Sequence, residues 1–208
     1  MNFLTTKVKI LFSLILFPAN FGLADLSLAA TINAASCSYA DVAAAVGAAS
    51  GGDTVIVPSG SCSWTGTLII TQGITLSGAG VGNTIIVNNI ASHAPLIVYT
   101  PSNYDLDTPF RITGFTFDLN NNGHALNLGE QNRAAPFTMQ TRVRIDHNRF
   151  VHAATLSYQA ITNKCTMNGV VDSNTFDGVW YPIRNDPGCA RYLFMGPKWG
   201  LNWVTLFG

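Results

Sequence analysis

Charge is scarce in this 208-residue chain: Asp, Glu, Lys and Arg make up 11% of it, against about a quarter in an ordinary globular domain. Glu occurs once and Lys four times, and the eleven basic residues are cancelled by eleven acidic ones. With no basic excess, the chain lacks the charged face by which nucleic-acid binders hold phosphates. Disorder is excluded from the other side, because 48% of the residues are hydrophobic and low charge with high hydrophobicity favours a packed core. There is no P-loop, no dinucleotide fingerprint, no zincin motif, no G-x-S-x-G and no CxxC. Against these absences stand 20 Thr and 18 Asn, a composition that starves helices and suits strands joined by turns.

A strongly apolar stretch, Ile10 to Phe17, broken only by Ser13, follows Lys7 and Lys9 and ends at Pro18. It is too short for a spanning helix, which needs about 20 apolar residues. A positive start, a short apolar stretch and small residues after it describe a secretory signal peptide over residues 1–29, cut after Ala24 or Ala29. An uncleaved membrane anchor is the rival reading. The mature domain, 30–208, is then expected in a secreted, extracellular or periplasmic setting, with no stable membrane insertion. Four cysteines suit that compartment. Cys37, Cys62, Cys165 and Cys189 allow three pairings, and sequence does not choose among them. The topologically simplest is Cys37–Cys62 with Cys165–Cys189. Each bridge would close a loop of about 25 residues, worth roughly 3 kcal/mol in the chain-entropy account.

One helix is expected, over Ser38–Ser50. Val42, Ala45, Val46 and Ala49 fall at i, i+3, i+4 and i+7, Ser38 with Asp41 is close to a capping box, and Gly51-Gly52 follows. A strand, Thr54–Val57, comes next. Beyond it the chain repeats loosely: Arg111–Asp118, Arg144–Val151 and Val170–Asp177 align, with Ile74-Thr75-Leu76 as an earlier relative. The closing aromatics Phe117, Phe150 and Phe176 are 33 and 26 residues apart, a drifting period that signals stacked repeats. Strands recurring once per unit stack in parallel, about 4.8 Å apart. Ile112, Ile145 and Val171 then form one inward ladder and the three phenylalanines another. Asn148 and Asn174 share a position where a stacked amide ladder would satisfy turn backbone.

The run from Cys37 through Gly51–Gly60 to Ile74–Gly80 resembles the entry of right-handed parallel β-helix proteins of the pectin-lyase-like superfamily, and the I-x-x-N-x-F units resemble its coil repeat. The resemblance implies an all-β fold: a single-stranded right-handed parallel β-helix (solenoid) with a short N-terminal capping α-helix. It implies polysaccharide as the partner. Val143–His147 is similar to the W-I-D-H motif of the pectate lyase branch, with Arg144 where Trp is usual, and Asn121–Ala125 is similar to the G-H-G of the polygalacturonase branch.

Register puts Asp146 and Asp172 side by side on the outer face of adjacent coils, where two carboxylates repel unless a cation relieves them. They are the candidate metal ligands, for Ca2+, and the resemblance implies that such a site serves a polyuronate lyase. Arg144 or Arg149 would act as base, with His147 beside them. The competing reading is a solvated strand face whose aspartates are held by Arg142, Arg144 and Arg149. Trp180, Tyr181 and His124 are the candidate substrate-binding residues, since flat aromatic faces stack on sugar rings; Trp199 and Trp203 add to the aromatic supply. The alternative function is therefore a non-catalytic carbohydrate-binding or adhesion module. Leu201–Gly208 reads as a further strand with no polar cap after it. Additional C-terminal coils or self-association are expected to cover that end.

Overall fold

The computed structural model describes residues 28–130, 138–153, 158–164 and 166–185, together with the backbone of 193–195. Seventeen strands and one α-helix are found in them. After the short β1 (Thr31–Asn33) and the helix α1 (Tyr39–Ala48), the chain runs through five coils of three strands. The first holds β2 (Thr54–Val57), β3 (Gly60–Trp64) and β4 (Leu68–Ile70); the second β5 (Thr75–Gly78), β6 (Thr84–Asn88) and β7 (Ile97–Tyr99). The third holds β8 (Phe110–Thr113), β9 (Thr116–Asp118) and β10 (Leu126–Leu128); the fourth β11 (Gln140–Asp146), β12 (Arg149–Ala153) and β13 (Gln159–Asn163). The fifth holds β14 (Met167–Asp172), β15 (Thr175–Val179) and β16 (Tyr181–Asn185), and β17 (Leu193–Met195) follows. Every third strand pairs in parallel, giving a first sheet β1-β2-β5-β8-β11-β14-β17, a second β15-β12-β9-β6-β3 and a third β16-β13-β10-β7-β4. This is an all-β parallel solenoid.

Side chains alternate across a strand, so one register fixes whole columns. Leu76, Ile112, Ile145 and Val171 pair in sequence along the first sheet and all are buried. Phe117, Phe150 and Phe176 pair along the second, their rings stacked with centroids 5.4 and 5.0 Å apart. Both ladders match the sequence expectation. Burying each such side chain stabilises by about 1.5–3 kcal/mol, and a one-residue slip would expose a whole column.

The corner between the first and second sheets explains the repeat motif. In the third, fourth and fifth coils it is two residues long, and its first residue is left-handed: Gly114 (φ 79°), His147 (φ 53°) and Ser173 (φ 54°). At Gly114 a side chain is also excluded by space, since a Cβ would lie 2.7 Å from the Gly78 carbonyl oxygen. The second corner residue is Asn in the last two of these coils. Asn148 Nδ2 donates to the carbonyls of Ile112 (3.0 Å) and Asp146 (2.9 Å) and to Asn174 Oδ1 (3.1 Å). Its Oδ1 accepts the Phe115 N–H at 3.0 Å. Asn174 repeats the pattern on Ile145 and Asp172. The amide ladder thus carries the backbone polar groups of a corner too tight to pair them itself.

The helix lies across the start of the coil stack, against β1, β2, β3 and β4. Val42, Ala45, Val46 and Ala49 are buried, and Ser38 caps the start by accepting the Asp41 N–H. The helix stops at Ala48, short of the expected Ser50. Ala49 is already extended (φ −81°, ψ 145°), and the Ser50 N–H turns to Asp53 Oδ2 at 2.7 Å. Cys37 and Cys62 are disulfide-bonded, and the buried Trp64 donates its indole N–H to the Cys37 carbonyl at 2.9 Å, so the cap is tied to the first coil twice. Cys165, Cys189, Trp199, Trp203, the strand expected over Leu201–Gly208 and residues 1–27 of the expected signal peptide lie outside the described residues. Among the described residues no helix is long and apolar enough to cross a membrane.

Candidate functional site

Asp146 and Asp172 pair side by side on the first sheet, as their spacing implies. Their partners follow a diagonal rule. Asp146 sits opposite Thr113, two residues after Arg111, and Arg111 forks onto it: Nε donates to Oδ1 at 2.7 Å and Nη2 to Oδ2. Arg144 forks in the same sense onto Asp172, both bonds 2.9 Å. On the second sheet Arg149 pairs with Asp177 at 2.6 Å, again one coil on and two residues along. The expected counterions were Arg142, Arg144 and Arg149; only Arg144 holds one of the two aspartates by a fork, and Arg111 takes the other. Sequence proximity suggested Arg142 and Arg149, whereas an arginine reaches up one coil and along the strand.

Asp146 is buried beneath this cover, and His147 donates Nδ1–H to its Oδ2 at 2.8 Å. Burial by itself would raise the Asp146 carboxyl; hydrogen bonds from Arg111 and His147 and the charges of Arg111 and Arg144 bring it below the usual carboxylate range. The Arg144 hydrogen bond holds Asp172 low as well. The same bonds raise the guanidiniums of Arg111 and Arg144. Two consequences follow for chemistry. All four carboxylate oxygens already accept a guanidinium N–H, so the pair as arranged does not fit a calcium ion, which needs six to eight oxygens. Among the described residues no group of three His, Cys, Asp or Glu is placed to hold a metal. A base at Arg144 would have to lose a proton that its aspartate partner makes harder to remove.

The three candidate sugar-binding residues converge elsewhere, on the corner between the second and third sheets. Leu126 pairs with Ile161 and Ile161 with Ile183; two residues back, His124, Gln159 and Tyr181 form one column over three coils. Trp180 stands in the bend before Tyr181, its N–H bonded to the Ala153 carbonyl at 2.9 Å. Trp180 is 62% exposed and Tyr181 46%. Two further rings that sequence reading passed over join them. Tyr158 precedes Gln159 and packs edge-on to His124 (centroids 6.0 Å) and tilted against His93 (5.3 Å). Neither His93 nor Tyr158 carries a motif. This corner varies in length from coil to coil, so its residues do not align in sequence as the two-residue corner does.

Burial pushes the His124 imidazole below the usual histidine range against an opposing contribution from its backbone contact with Gln159, and Arg184 and His93 act with burial. His124 Nδ1 accepts the Gln159 backbone N–H at 3.1 Å. His152, five residues after His147, sits apart from this cluster. Its ring bonds Asp118 at 2.8 Å, and like His147 it is left-handed (φ 58°).

No family model matches the chain, and no curated protein does. Among solved structures, the chain is similar to "Geobacillus virus E2 - ORF18" at 18% identity and a TM-score of 0.39, covering 72% of this chain and 40% of that one. The chain therefore spans less than half the length of the protein it matches.

Proposed function

We propose that the protein is a secreted, right-handed parallel β-helix module that binds polysaccharide along the corner between its second and third sheets, without cleaving it. The supporting observation is the placement of His124, Tyr158, Trp180 and Tyr181 on successive coils of one corner, with Trp180 and Tyr181 exposed. Coils rise by about 4.8 Å, a step close to the length of one sugar unit in an extended chain. Aromatic faces on successive coils therefore suit successive rings of one polymer. Right-handed winding is supported by the strong preference of parallel crossovers for that hand. The disulfide Cys37–Cys62 is compatible with an oxidising compartment.

A depolymerase of the lyase type, with calcium on Asp146 and Asp172 and Arg144 or Arg149 as base, is the weaker reading because those groups are already committed to one another. The test is affinity electrophoresis of the purified protein in gels containing plant and bacterial polysaccharides, alongside absorbance of unsaturated uronates. Retardation in at least one gel, lost in the Trp180→Ala/Tyr181→Ala double variant, is expected. Absence of retardation throughout, or an EDTA-sensitive rise in near-ultraviolet absorbance, would overturn the reading.

A further inference from the structure

His93 and His124 flank Tyr158, and their hydrogen bonds fix where each ring carries its proton. His93 Nδ1 lies 2.6 Å from the Asn122 carbonyl oxygen. A carbonyl only accepts, so neutral His93 must hold its proton on Nδ1, leaving Nε2 a bare acceptor. The Tyr158 hydroxyl is 3.0 Å from that same Nδ1. With no lone pair there to receive it, the phenol proton is left to donate elsewhere, and the phenol oxygen shares the imidazole N–H. His124 is the mirror case. Its Nδ1 accepts a backbone N–H, so neutral His124 carries its proton on Nε2 and presents a donor. The cluster thus offers one acceptor and two donors around an aromatic ring, with no carboxylate among them.

We propose that His93, Tyr158 and His124 form a subsite that hydrogen-bonds adjacent hydroxyls of one uncharged sugar ring, next to the ring that stacks on Trp180 and Tyr181. The proposal rests on the polysaccharide-binding reading and names the sugar class: neutral, with vicinal hydroxyls. Acid dismantles the subsite, because a proton on His124 Nδ1 opposes the Gln159 N–H and separates the two coils beneath Tyr158. Among the described residues, the charged and titratable groups facing His124 are His93, Tyr158 and Arg184. None of these is acidic, so none compensates the added charge.

Long-range proton–nitrogen NMR of the whole protein at pH 7.5 should show His93 protonated on Nδ1 and His124 on Nε2; the opposite tautomers would overturn the subsite whatever the protein binds. Neutral gluco-, manno-, galacto- and xylo-oligosaccharides and oligogalacturonates are then titrated in the same experiment. A neutral series should bind in preference to the oligogalacturonates and shift both imidazoles. Its affinity should fall about tenfold in Tyr158→Phe and in His124→Asn. The Asn oxygen keeps an acceptor for the Gln159 N–H, so the variant leaves the contact between the two coils in place while removing the imidazole donor. Binding that survives both variants but is lost in Trp180→Ala would overturn the subsite and leave the polysaccharide reading standing. Preference for oligogalacturonates would overturn the sugar class alone, and no binding by the wild type would overturn both.

Discussion

Asn148 commits its whole side-chain amide to protein partners, whereas Trp180 and Tyr181, one strand further along the coils, turn toward solvent and Tyr158 beside them stays half-buried. The two corners belong to the same coils and obey the same parallel register. They differ in regularity: the first is two residues long in the third, fourth and fifth coils, whereas the second shortens from seven residues in the third coil to Trp180 alone in the fifth. A two-residue corner leaves backbone groups that only a short amide side chain can reach, and it forces a left-handed residue each time. The second corner pairs part of its backbone within the loop, as the Asn122 N–H does with the Leu119 carbonyl, and part through the amides of Asn88 and Asn122, which donate to the carbonyls of Ala94, His124 and Ile90. Trp180 and Tyr181 nevertheless stay exposed there. The first corner maintains the stack; the second carries the exposed rings to which the proposed polysaccharide binding is assigned.

The sharpest way to break this contrast is Asn148→Ala. It strips acceptors and donors from the Ile112 and Asp146 carbonyls and the Phe115 N–H at a buried position. Buried polar groups left unpaired cost about 1–3 kcal/mol each, so a loss of about 3 kcal/mol or more is expected in urea denaturation at unchanged m-value. A loss below about 1 kcal/mol would mean that the corner relaxes or takes in water, and that it is no more closed than the other.

Next in size is Asp146→Asn, which leaves the Arg111 fork facing an amide N–H. Arg111 is half-exposed and can turn to solvent, so the loss should be about 2 kcal/mol rather than the 3–5 of a fully buried pair. The pH profile separates the two regions. Asp146 and Asp172 titrate below their unfolded value of about 3.9. Their contribution is therefore complete above that value and is lost as the pH falls through the folded values. His124 is also lowered, but it is a base. Its neutral form is favoured in the fold, so stability begins to fall once the pH drops below about 6.5 and the unfolded chain takes up the proton first. Wild-type unfolding free energy should thus decline in two stages. His124→Asn should remove the upper stage and leave the lower, and Asp146→Asn should flatten the lower.

The first corner and the inward ladders were legible in the sequence because they impose one residue type at one register. Ile145 and Val171, Phe150 and Phe176, and Asn148 and Asn174 all recur at matching positions. The Asp146–Asp172 adjacency was legible for the same reason. Their neutralisation was not, because the Arg111-to-Asp146 contact spans 35 residues and depends on the length of the intervening coil. The aromatic corner was half legible. Exposed Trp180 and Tyr181 could be named as ring-binding types, but Tyr158 and His93 join them only through loops whose lengths share no period.

A smaller effect of opposite sign is expected at Ser173, the left-handed corner residue of the fifth coil (φ 54°). An L-residue there carries about 1–2 kcal/mol of strain that glycine avoids. The side chain contributes only a 3.3 Å bond to Asp172. Ser173→Gly should therefore stabilise by about 1 kcal/mol, offset in part by the greater freedom of glycine in the unfolded chain. His147→Gly should gain less, because it also removes the bond to Asp146.

The smallest expected change in stability is at Trp180, 62% exposed in the second corner. It is more exposed than Tyr181, so Trp180→Ala should stay within about 0.5 kcal/mol of the wild type, the range for surface positions without a structural role. Tyr181→Ala, with more than half of the ring residue's surface covered, should cost about 1 kcal/mol. The backbone bond from Trp180 to Ala153 survives either substitution, and with it the register of the fifth coil. A loss of several kcal/mol would show that the rings pack against the chain, and the corner would then be closed like the first. An unchanged unfolding midpoint combined with lost retardation in polysaccharide gels separates the two roles cleanly, because a group that contributes to binding and nothing to folding has its partner outside the molecule.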